Sequence, residues 1–212
     1  MIKLLGKNAE DTKIVTCHIG NGSSISAVKG GKVMDTTMGF TPLEGLIIGT
    51  RCGNVDPYVV TYLQDKEGLT AAQVNDIMNK KSGFLGVTGL SSDSRDIEAA
   101  YNEGNEKAKL ALDILKHQLK KYIGGYAAAM NGLDAVVFTA GIGENSSILR
   151  ELVLSDMEYL GIELDREANK KAFRLSDAMM ISTPDSKVKA YVIPTNEELV
   201  IAKDTAAIVE NL

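Results

Sequence analysis

A glycine-rich turn follows a short hydrophobic stretch in the second half of the chain. Residues 134–139 form an apolar run typical of a strand buried on both faces. Gly141-Ile142-Gly143-Glu144-Asn145 comes next, before a helix predicted from about Ser146. Glycine lets a ligand approach the main chain, and a helix N-terminus suits an anion. The turn is neither a Walker A loop nor a complete GxGxxG, so alone it fits a phosphate site and a simple strand-to-helix connection equally well.

A second candidate element lies near the start of the chain, in His18-Ile19-Gly20-Asn21-Gly22-Ser23-Ser24. Gly20-Asn21-Gly22 separates two strand-like stretches and predicts a tight hairpin turn. The turn amides, the Asn21 side chain and the serine hydroxyls could donate hydrogen bonds to phosphate oxygens. His18 ends the first predicted strand, where a histidine can be structural or can donate to a phosphate.

Arg51 lies on a loop between Gly49 and Gly53. Its planar guanidinium matches pairs of phosphate oxygens, although an arginine on a loop can equally form a surface salt bridge. Asp56 and Pro57 follow, and we interpret them as the N-cap and the first residue of a helix.

Charged residues begin two further predicted helices. Asp93-Ser94-Arg95 follows a glycine-containing loop and alone indicates only a charged helix start. Near the end of the chain, Asn196 is typical of an N-cap and is followed by Glu197. Glutamate in a first turn is favoured by the helix dipole, but its carboxylate can instead hold Mg²⁺ directly or through water.

Hydrophobic periodicity and turn residues predict an α/β domain. Strands are expected at residues 13–18, 23–29, 32–38, 134–139 and 188–193, and helices at 57–66, 70–80, from 96, at 105–130 and at 196–210. Residues 39–56 and 82–95 are expected to be loops, and the apolar stretch 40–48 suits either an interface or the core. The apolar stripe expected in helix 105–130 consists of Leu110, Leu112, Ile114, Leu115, Leu119, Tyr122 and Ile123. Hairpin-linked strands followed by strand-to-helix units predict a mixed sheet with helices on its faces.

The composition is that of an ordinary soluble globular protein, with 44% hydrophobic and 24% charged residues in 212. A net charge of −5 argues against a nucleic-acid partner. The sequence has neither an apolar run of membrane-spanning length nor a signal peptide pattern, so no membrane association is expected. Cys17 and Cys52 form no CxxC pair, and His18 and His117 lie far apart. We therefore expect no structural zinc and a cytoplasmic location.

Taken together and in this order, the elements closely resemble the acetate kinase family. The resemblance rests on residues 18–24, 38–45 (Met-Gly-Phe-Thr-Pro-Leu-Glu-Gly), 49–53 (Gly-Thr-Arg-Cys-Gly), 138–145 and 193–198 (Ile-Pro-Thr-Asn-Glu-Glu). It covers residues 10–212, and five ordered motifs are a specific signal. Propionate and butyrate kinases share parts of the pattern, so the acid is less well defined than the family.

The resemblance implies an actin, hexokinase and Hsp70 type of ATPase domain (ribonuclease H-like), an α/β fold with a mixed sheet flanked by helices. It implies that residues 18–22 and 141–145 contact the phosphates of ATP or ADP, and that Asp93, Ser94 and Arg95 border the adenosine. The family often has an aromatic residue at the position of Ser94, whose side chain cannot stack on a base. The resemblance further implies that Glu197 helps to hold Mg²⁺ (or Mn²⁺), and that Arg51 and His18 stabilise the transferring phosphoryl group.

The activity implied is the reversible, Mg-dependent transfer of a phosphoryl group from ATP to acetate, in line and without a phosphoenzyme. The resemblance also implies a homodimer that pairs through this domain. The family's chain is about twice as long, and its N-terminal half carries the acid-binding residues. We therefore expect residues 1–12 to be a leading segment and residues 13–212 the C-terminal nucleotide-binding domain, which binds ATP but does not phosphorylate acetate alone.

The alternative to an enzyme is a non-catalytic nucleotide-binding module of the same superfamily. Arg51 separates the two hypotheses, because a pure binding module has little need for a glycine-flanked arginine near the terminal phosphate. A dinucleotide-dependent oxidoreductase is disfavoured, because the chain opens with a hairpin meander and lacks a GxGxxG followed by a ribose-binding acid.

Overall fold

The computed structural model describes residues 1–210, except for the side chain of Glu197. Across this part of the chain there are six strands: Lys13–Ile19 (β1), Ser23–Lys29 (β2), Lys32–Thr36 (β3), Ala135–Thr139 (β4), Met179–Met180 (β5) and Lys189–Val192 (β6). The same residues form ten α-helices: Ile2–Leu5 (α1), Tyr58–Glu67 (α2), Ala71–Lys80 (α3), Gly83–Thr88 (α4), Ser94–Asn102 (α5), Glu106–Met130 (α6), Ala140–Asn145 (α7), Ser147–Leu154 (α8), Arg166–Lys171 (α9) and Glu197–Val209 (α10). Short 3-10 turns occupy Ala9–Asp11 and Glu158–Leu160.

The strands form one mixed sheet in the order β3-β2-β1-β4-β6-β5. β1, β2 and β3 pair antiparallel through short hairpins, whereas β4 pairs parallel with both β1 and β6, and β5 returns antiparallel to β6. The predicted α/β fold with a mixed sheet is confirmed. Because β1 and β4 are parallel, their carboxyl ends reach the same edge of the sheet, where His18 pairs with Thr139.

Side chains alternate along β1 and β2 between a buried face and a partly exposed face. Cys17 and Ile19 lie on the buried face, and His18 and Ser24 on the other. In β4 every side chain from residue 135 to residue 138 is buried, as predicted for a strand at the centre of a sheet.

Helix α6 packs across β1 and β2 and contributes a large part of the hydrophobic core. Asn105 caps it by accepting two backbone hydrogen bonds. Most of the predicted stripe is buried or partly buried, but Leu110 is 53% exposed and does not belong to it. Leu110 lies two residues before Leu112, about 200° round the helix, and therefore faces away from the core. Within residues 1–210, none of the helices is long and apolar enough to cross a membrane.

Segment 82–95 was expected to be a loop, and this prediction is wrong. It contains α4 and the beginning of α5, which starts at Ser94 rather than Asp96. Three glycines, at 83, 86 and 89, obscured α4, because glycine is a poor helix former.

Gly83 explains why α4 forms where it does. Its φ is 65°, and an added Cβ would lie 1.9 Å from the carbonyl oxygen of Ile48. Only glycine permits this close approach. It lets the start of α4 donate backbone hydrogen bonds to the carbonyls of Gly49 and Thr50. Helix α4 therefore holds the loop that carries Arg51.

Other boundaries differ by one or two residues. Pro57 is the N-cap of α2 rather than its first residue, and the Asp56 carboxylate accepts a hydrogen bond from the Tyr58 amide. β3 ends two residues earlier than predicted. Thr70 and Gln73 form a capping box at the start of α3.

The apolar stretch 40–48 belongs partly to the core and partly to the surface. Leu46, Ile47 and Ile48 are buried, whereas Phe40 is fully exposed. Other exposed large apolar side chains lie nearby in the sequence, namely Val33, Met34, Val55, Tyr58, Val59 and Tyr62.

Arg150 of α8 is completely buried and uses all five of its N–H donors. It donates to Asn169 Oδ1 (2.8 Å) and to the carbonyls of Gly143 (2.9 Å), Glu144 (2.8 Å), Asn169 (2.9 Å) and Ala172 (2.7 Å). Burial lowers the pKa of Arg150 to about 10, so it stays charged at neutral pH. This one side chain holds α7, α8 and α9 together.

Arg150→Met should lower the free energy of unfolding by about 3 kcal/mol or more, because four buried carbonyls lose their donors. Urea denaturation followed by circular dichroism measures the change. Arg166→Met is the matched control, since Arg166 is exposed and forms a surface ion pair with Glu151 at 2.9 Å. The control should lose about 1 kcal/mol or less. Equal losses in the two variants would contradict the role of Arg150.

Candidate functional site

Two glycine-rich elements meet at the carboxyl edge of β1 and β4. A Cβ built on Gly20 would lie 3.6 Å from the Cβ of Ala140 and 3.9 Å from the amide nitrogen of Gly141. The hairpin that ends β1 therefore touches the connection that ends β4. Residues 141–145 are themselves helical, as part of α7, whereas we expected a turn there. Ser146 then caps the next helix, α8, which begins at Ser147, close to the start that the sequence predicted.

A cavity of about 840 Å³ opens beside this contact. Eight of its lining residues are ones that we predicted: Gly20, Asn21, Asp93, Ser94, Arg95, Gly141, Ile142 and Asn145. The others are Glu98, Ala99, Asn102, Ser146, Phe173 and Arg174, which sequence reasoning missed. Four segments that are distant in the sequence thus share one concave surface.

A local signal could have identified some of the missed residues. Glu98 and Asn102 follow Ser94 at spacings of four and eight, so they lie on the same face of α5. Phe173 and Arg174 carry no such signal, because they follow α9 and reach the cavity only through tertiary packing.

The start of α5 carries a compact ion pair. The Asp93 carboxylate caps the helix by accepting from the Arg95 amide at 2.9 Å, and it pairs with the Arg95 guanidinium at 2.5 Å. Hydrogen bonds from the Arg95 side chain and backbone lower the pKa of Asp93 to about 2. The charge of Arg95 is therefore already balanced beside the cavity.

Glu98 has the opposite environment. Burial raises the pKa of its carboxyl group, although a hydrogen bond from the Ser146 hydroxyl and the charge of Arg150 act against this. Glu98 thus gives the cavity wall a carboxyl group that protonates more readily than an exposed glutamate.

A second cavity, of about 510 Å³, adjoins the first and shares Gly141 with it. Its other lining residues are Ala140, Glu144, Thr195, Asn196 and Glu198. Oε1 of Glu144 accepts hydrogen bonds from the amides of Ala140 and Thr195, each at 2.8 Å. This carboxylate fixes the start of α7, where Ala140 has a φ of 64°, to the end of β6.

The remaining predicted site residues are placed differently. Ile19 is completely buried, so it can offer a ligand only its backbone, and Gly143 is buried in α7. Arg51 and His18 line neither cavity. Arg51 donates through Nη1 to the Pro42 carbonyl at 3.4 Å.

The predicted metal ligand, Glu197, begins α10, but its side chain lies outside the described residues. Gly22 ends the hairpin turn, where its carbonyl accepts from the amide of Gly20 at 3.2 Å. Among the side chains that the structure describes, no group of three or more His, Cys, Asp or Glu could bind a metal.

Comparison of the sequence with known families gives one match over nearly the whole chain. A sequence model described as the acetokinase family matches residues 1–203. The chain belongs to the acetokinase family. The resemblance found from the motifs is therefore confirmed.

Individual acetokinases show the same relationship. The acetate kinase of Carboxydothermus hydrogenoformans is 62% identical over 209 residues, which are 99% of this chain and 52% of that protein. The acetate kinase of Methanosarcina thermophila is 58% identical over 207 residues, 98% of this chain and 50% of that protein. The chain thus spans about half the length of these relatives.

Two solved acetokinase structures share the fold. The crystal structure of Porphyromonas gingivalis acetate kinase superposes with a TM-score of 0.91 at 50% identity, covering 98% of this chain and 52% of that one. A propionate kinase from Francisella tularensis gives a TM-score of 0.86 at 39% identity, covering 95% of this chain and 50% of that one. The architecture of this chain is therefore that of the corresponding part of an acetokinase.

The raised pKa of Glu98 predicts a pH dependence of stability. The folded protein binds this proton more tightly than the unfolded chain, so its contribution to the free energy of unfolding should fall as pH rises above the ordinary glutamate value of 4.5. Glu98→Gln keeps an oxygen acceptor for Ser146 and carries no charge. It should be more stable than the unmodified chain at about pH 7 and lose that advantage at about pH 4. Urea denaturation across this range measures the difference.

Glu103→Gln is the control for this pH series, because Glu103 is exposed at the end of the same helix. In this variant the free energy of unfolding should change with pH as it does in the unmodified chain. A slope unaltered by Glu98→Gln would show that burial of Glu98 does not influence folding.

Proposed function

We propose that this chain is the nucleotide-binding half of an acetate kinase. Residues 13–212 are its C-terminal nucleotide-binding domain, and residues 1–12 are a leading segment. The reaction is the reversible conversion of ATP and acetate to ADP and acetyl phosphate. The proposal is carried by one observation: a single cavity of about 840 Å³ is lined by Gly20 and Asn21, by residues 93–95, and by Gly141, Ile142 and Asn145. This volume is typical of sites for ligands the size of a nucleotide.

In this proposal the hairpin and α7 bind the phosphates, while residues 93–95 border the adenosine. Gly20 lies where the hairpin contacts the start of α7, and its lack of a side chain leaves the backbone accessible there. Within the described part of the chain, the side chains of Asn21 and His18 make no hydrogen bond. Their polar atoms are thus available to phosphate oxygens.

The second cavity suits Mg²⁺ (or Mn²⁺) held together with the phosphates. Glu198 lines it beside Gly141, and Glu197 precedes Glu198 in the first turn of α10. Carboxylate oxygens are the donors that Mg²⁺ prefers, and Mg²⁺ usually binds through one or two carboxylates, water and substrate phosphates. We therefore assign Glu197 to the metal, with Glu198 beside it. When bound, the metal neutralises charge on the phosphates.

Arg51 and His18 are the residues that we assign to the transferring phosphoryl group. In-line transfer needs positioning and positive charge rather than covalent chemistry. Helix α4 restrains the loop that carries Arg51. The Arg51 guanidinium makes one long hydrogen bond, to the Pro42 carbonyl, so its other N–H donors remain for a ligand. The loop is thus held in place while the guanidinium can still bind an anion.

We propose acetate as the acid, because the relatives at 58% and 62% identity are acetate kinases, whereas the propionate kinase is 39% identical. The acid-binding residues are assigned to the part of the relatives that this chain does not match. The chain alone should therefore bind ATP or ADP without phosphorylating acetate.

We also propose that the domain pairs with a second copy of itself. The exposed apolar side chains of Phe40 and Val55 support this, because they line one shallow surface cavity and adjoining exposed apolar groups often mark an interface.

Isothermal titration calorimetry tests the nucleotide proposal directly. The 212-residue chain should bind MgATP, and acetate should leave the Kd unchanged because it has no site here. The same chain should form no acetyl phosphate. A chain that binds acetate tightly, or that makes acetyl phosphate at the rate of a full-length acetate kinase, would contradict the division of roles.

Arg51→Ala distinguishes a kinase from a passive nucleotide-binding module. In the isolated chain it should leave the Kd for MgATP within about twofold, because we assign Arg51 to the transition state rather than to ground-state binding. In the complete enzyme it should lower turnover by about 100-fold or more. Thr50→Ala is the neighbouring control for turnover. Loss of ATP affinity in step with turnover would favour the non-catalytic module.

A further inference from the structure

Phe173 gives the larger cavity an aromatic wall. Among the described residues that line this cavity, it is the only aromatic one, and it is 52% exposed. A large apolar side chain that stays exposed inside a concave surface indicates contact with a ligand.

The backbone on both sides of Phe173 is fixed. On one side, the buried guanidinium of Arg150 donates to the carbonyl of Ala172 at 2.7 Å. On the other, the amide of Arg174 donates to Oδ1 of Asn145 at 3.1 Å. Because Asn145 ends α7, these contacts connect the aromatic ring to the helix that begins beside Gly20. The ring is thus positioned relative to the two phosphate elements rather than carried on an unrestrained loop.

Arg174 stacks on one face of the ring. Its guanidinium carbon lies 5.1 Å from the centroid of the Phe173 ring, a cation–π distance. Aromatic rings and guanidinium groups are both planar surfaces on which nucleobases stack. The pair therefore presents the chemistry of a base-binding platform.

The start of α5 supplies no aromatic ring. Ser94 offers a hydroxyl group, and the guanidinium of Arg95 is paired with the Asp93 carboxylate at 2.5 Å. A base in this cavity would therefore find its aromatic contact at Phe173 and polar contacts at α5.

We propose that Phe173 and Arg174 form the stacking surface for the nucleobase of the bound nucleotide, between α9 and β5. This inference rests on the proposed nucleotide function and adds the element that binds the base. Stacking does not discriminate strongly between bases, so guanine nucleotides should bind there as well as adenine nucleotides.

A tryptophan reporter tests the contact. The chain has no tryptophan, so Phe173→Trp introduces a single fluorophore that keeps an aromatic face. MgATP and MgGTP should quench its fluorescence, whereas Mg-tripolyphosphate, which has phosphates but no base, should not. Tyr159→Trp is the control, because Tyr159 is exposed and lines neither cavity. Its emission should be the same with each of the three ligands.

Calorimetry of two further variants separates stacking from general support of the site. Phe173→Ala should raise the Kd for MgATP about tenfold and leave the Kd for Mg-tripolyphosphate unchanged. Phe173→Tyr keeps the ring and should retain the affinity of the unmodified chain for both ligands. A purely structural role of Phe173 would weaken both ligands alike, and that result would overturn the inference.

Two failures can be distinguished. The stacking inference fails if the unmodified chain and Phe173→Ala bind MgATP equally. It also fails if tripolyphosphate quenches the tryptophan at position 173 as strongly as MgATP does. In either case the chain binds phosphate groups, but the base does not stack on this surface. If the unmodified chain binds neither MgATP nor Mg-tripolyphosphate, the proposed function itself is wrong.

Discussion

The parallel pairing of β1 with β4 is the constraint on which the candidate site depends. Parallel neighbours place their carboxyl ends at one edge of a sheet, so two loops that are far apart in the sequence leave it side by side. The register sets His18 opposite Thr139, and Gly20 then lies against Ala140. A shift of one residue would reverse the faces of β1 and send His18 into the core. The hydrophobic alternation that fixes the register therefore also fixes the site.

Glu144 turns this proximity into a defined geometry. Its carboxylate accepts from the amides of Ala140 and Thr195, so it joins the end of β4 to the end of β6. The first turn of α10, which carries Glu197, begins directly after that junction. The elements assigned to phosphate and to metal are thus connected through backbone hydrogen bonds before any ligand is present. Polar groups that are already in place need less reorganisation on binding.

Sequence patterns predicted the features that are decided locally. The central strands, the Gly20–Gly22 turn and the cap at Asn196 follow from alternation and from side-chain hydrogen bonds within a few residues. The glycines of α4 obscured a helix because Gly83 is needed for an approach to Ile48, a residue distant in the sequence. Phe173 was missed for the same kind of reason, since contacts made by other segments place it in the cavity. The predicted part of the candidate site is thus decided locally, whereas the part that carried no sequence signal, Phe173 and Arg174, is placed by tertiary contacts.

The burial of Arg150 is the clearest of these tertiary effects. A helix of six residues leaves most of its terminal carbonyls without partners and is marginal by itself, and α7 and α9 are both of that length. Arg150 donates to the carbonyls of Gly143 and Glu144 in the last turn of α7, and to those of Asn169 and Ala172 at the end of α9. Lysine, with three donors on a single nitrogen, could not serve all five of the acceptors of Arg150. The desolvation cost of the buried charge is therefore offset at two negative helix ends together. A buried guanidinium that caps two short helices keeps α7 in place beside the Gly20–Gly22 turn and holds Ala172 next to the aromatic wall of the cavity.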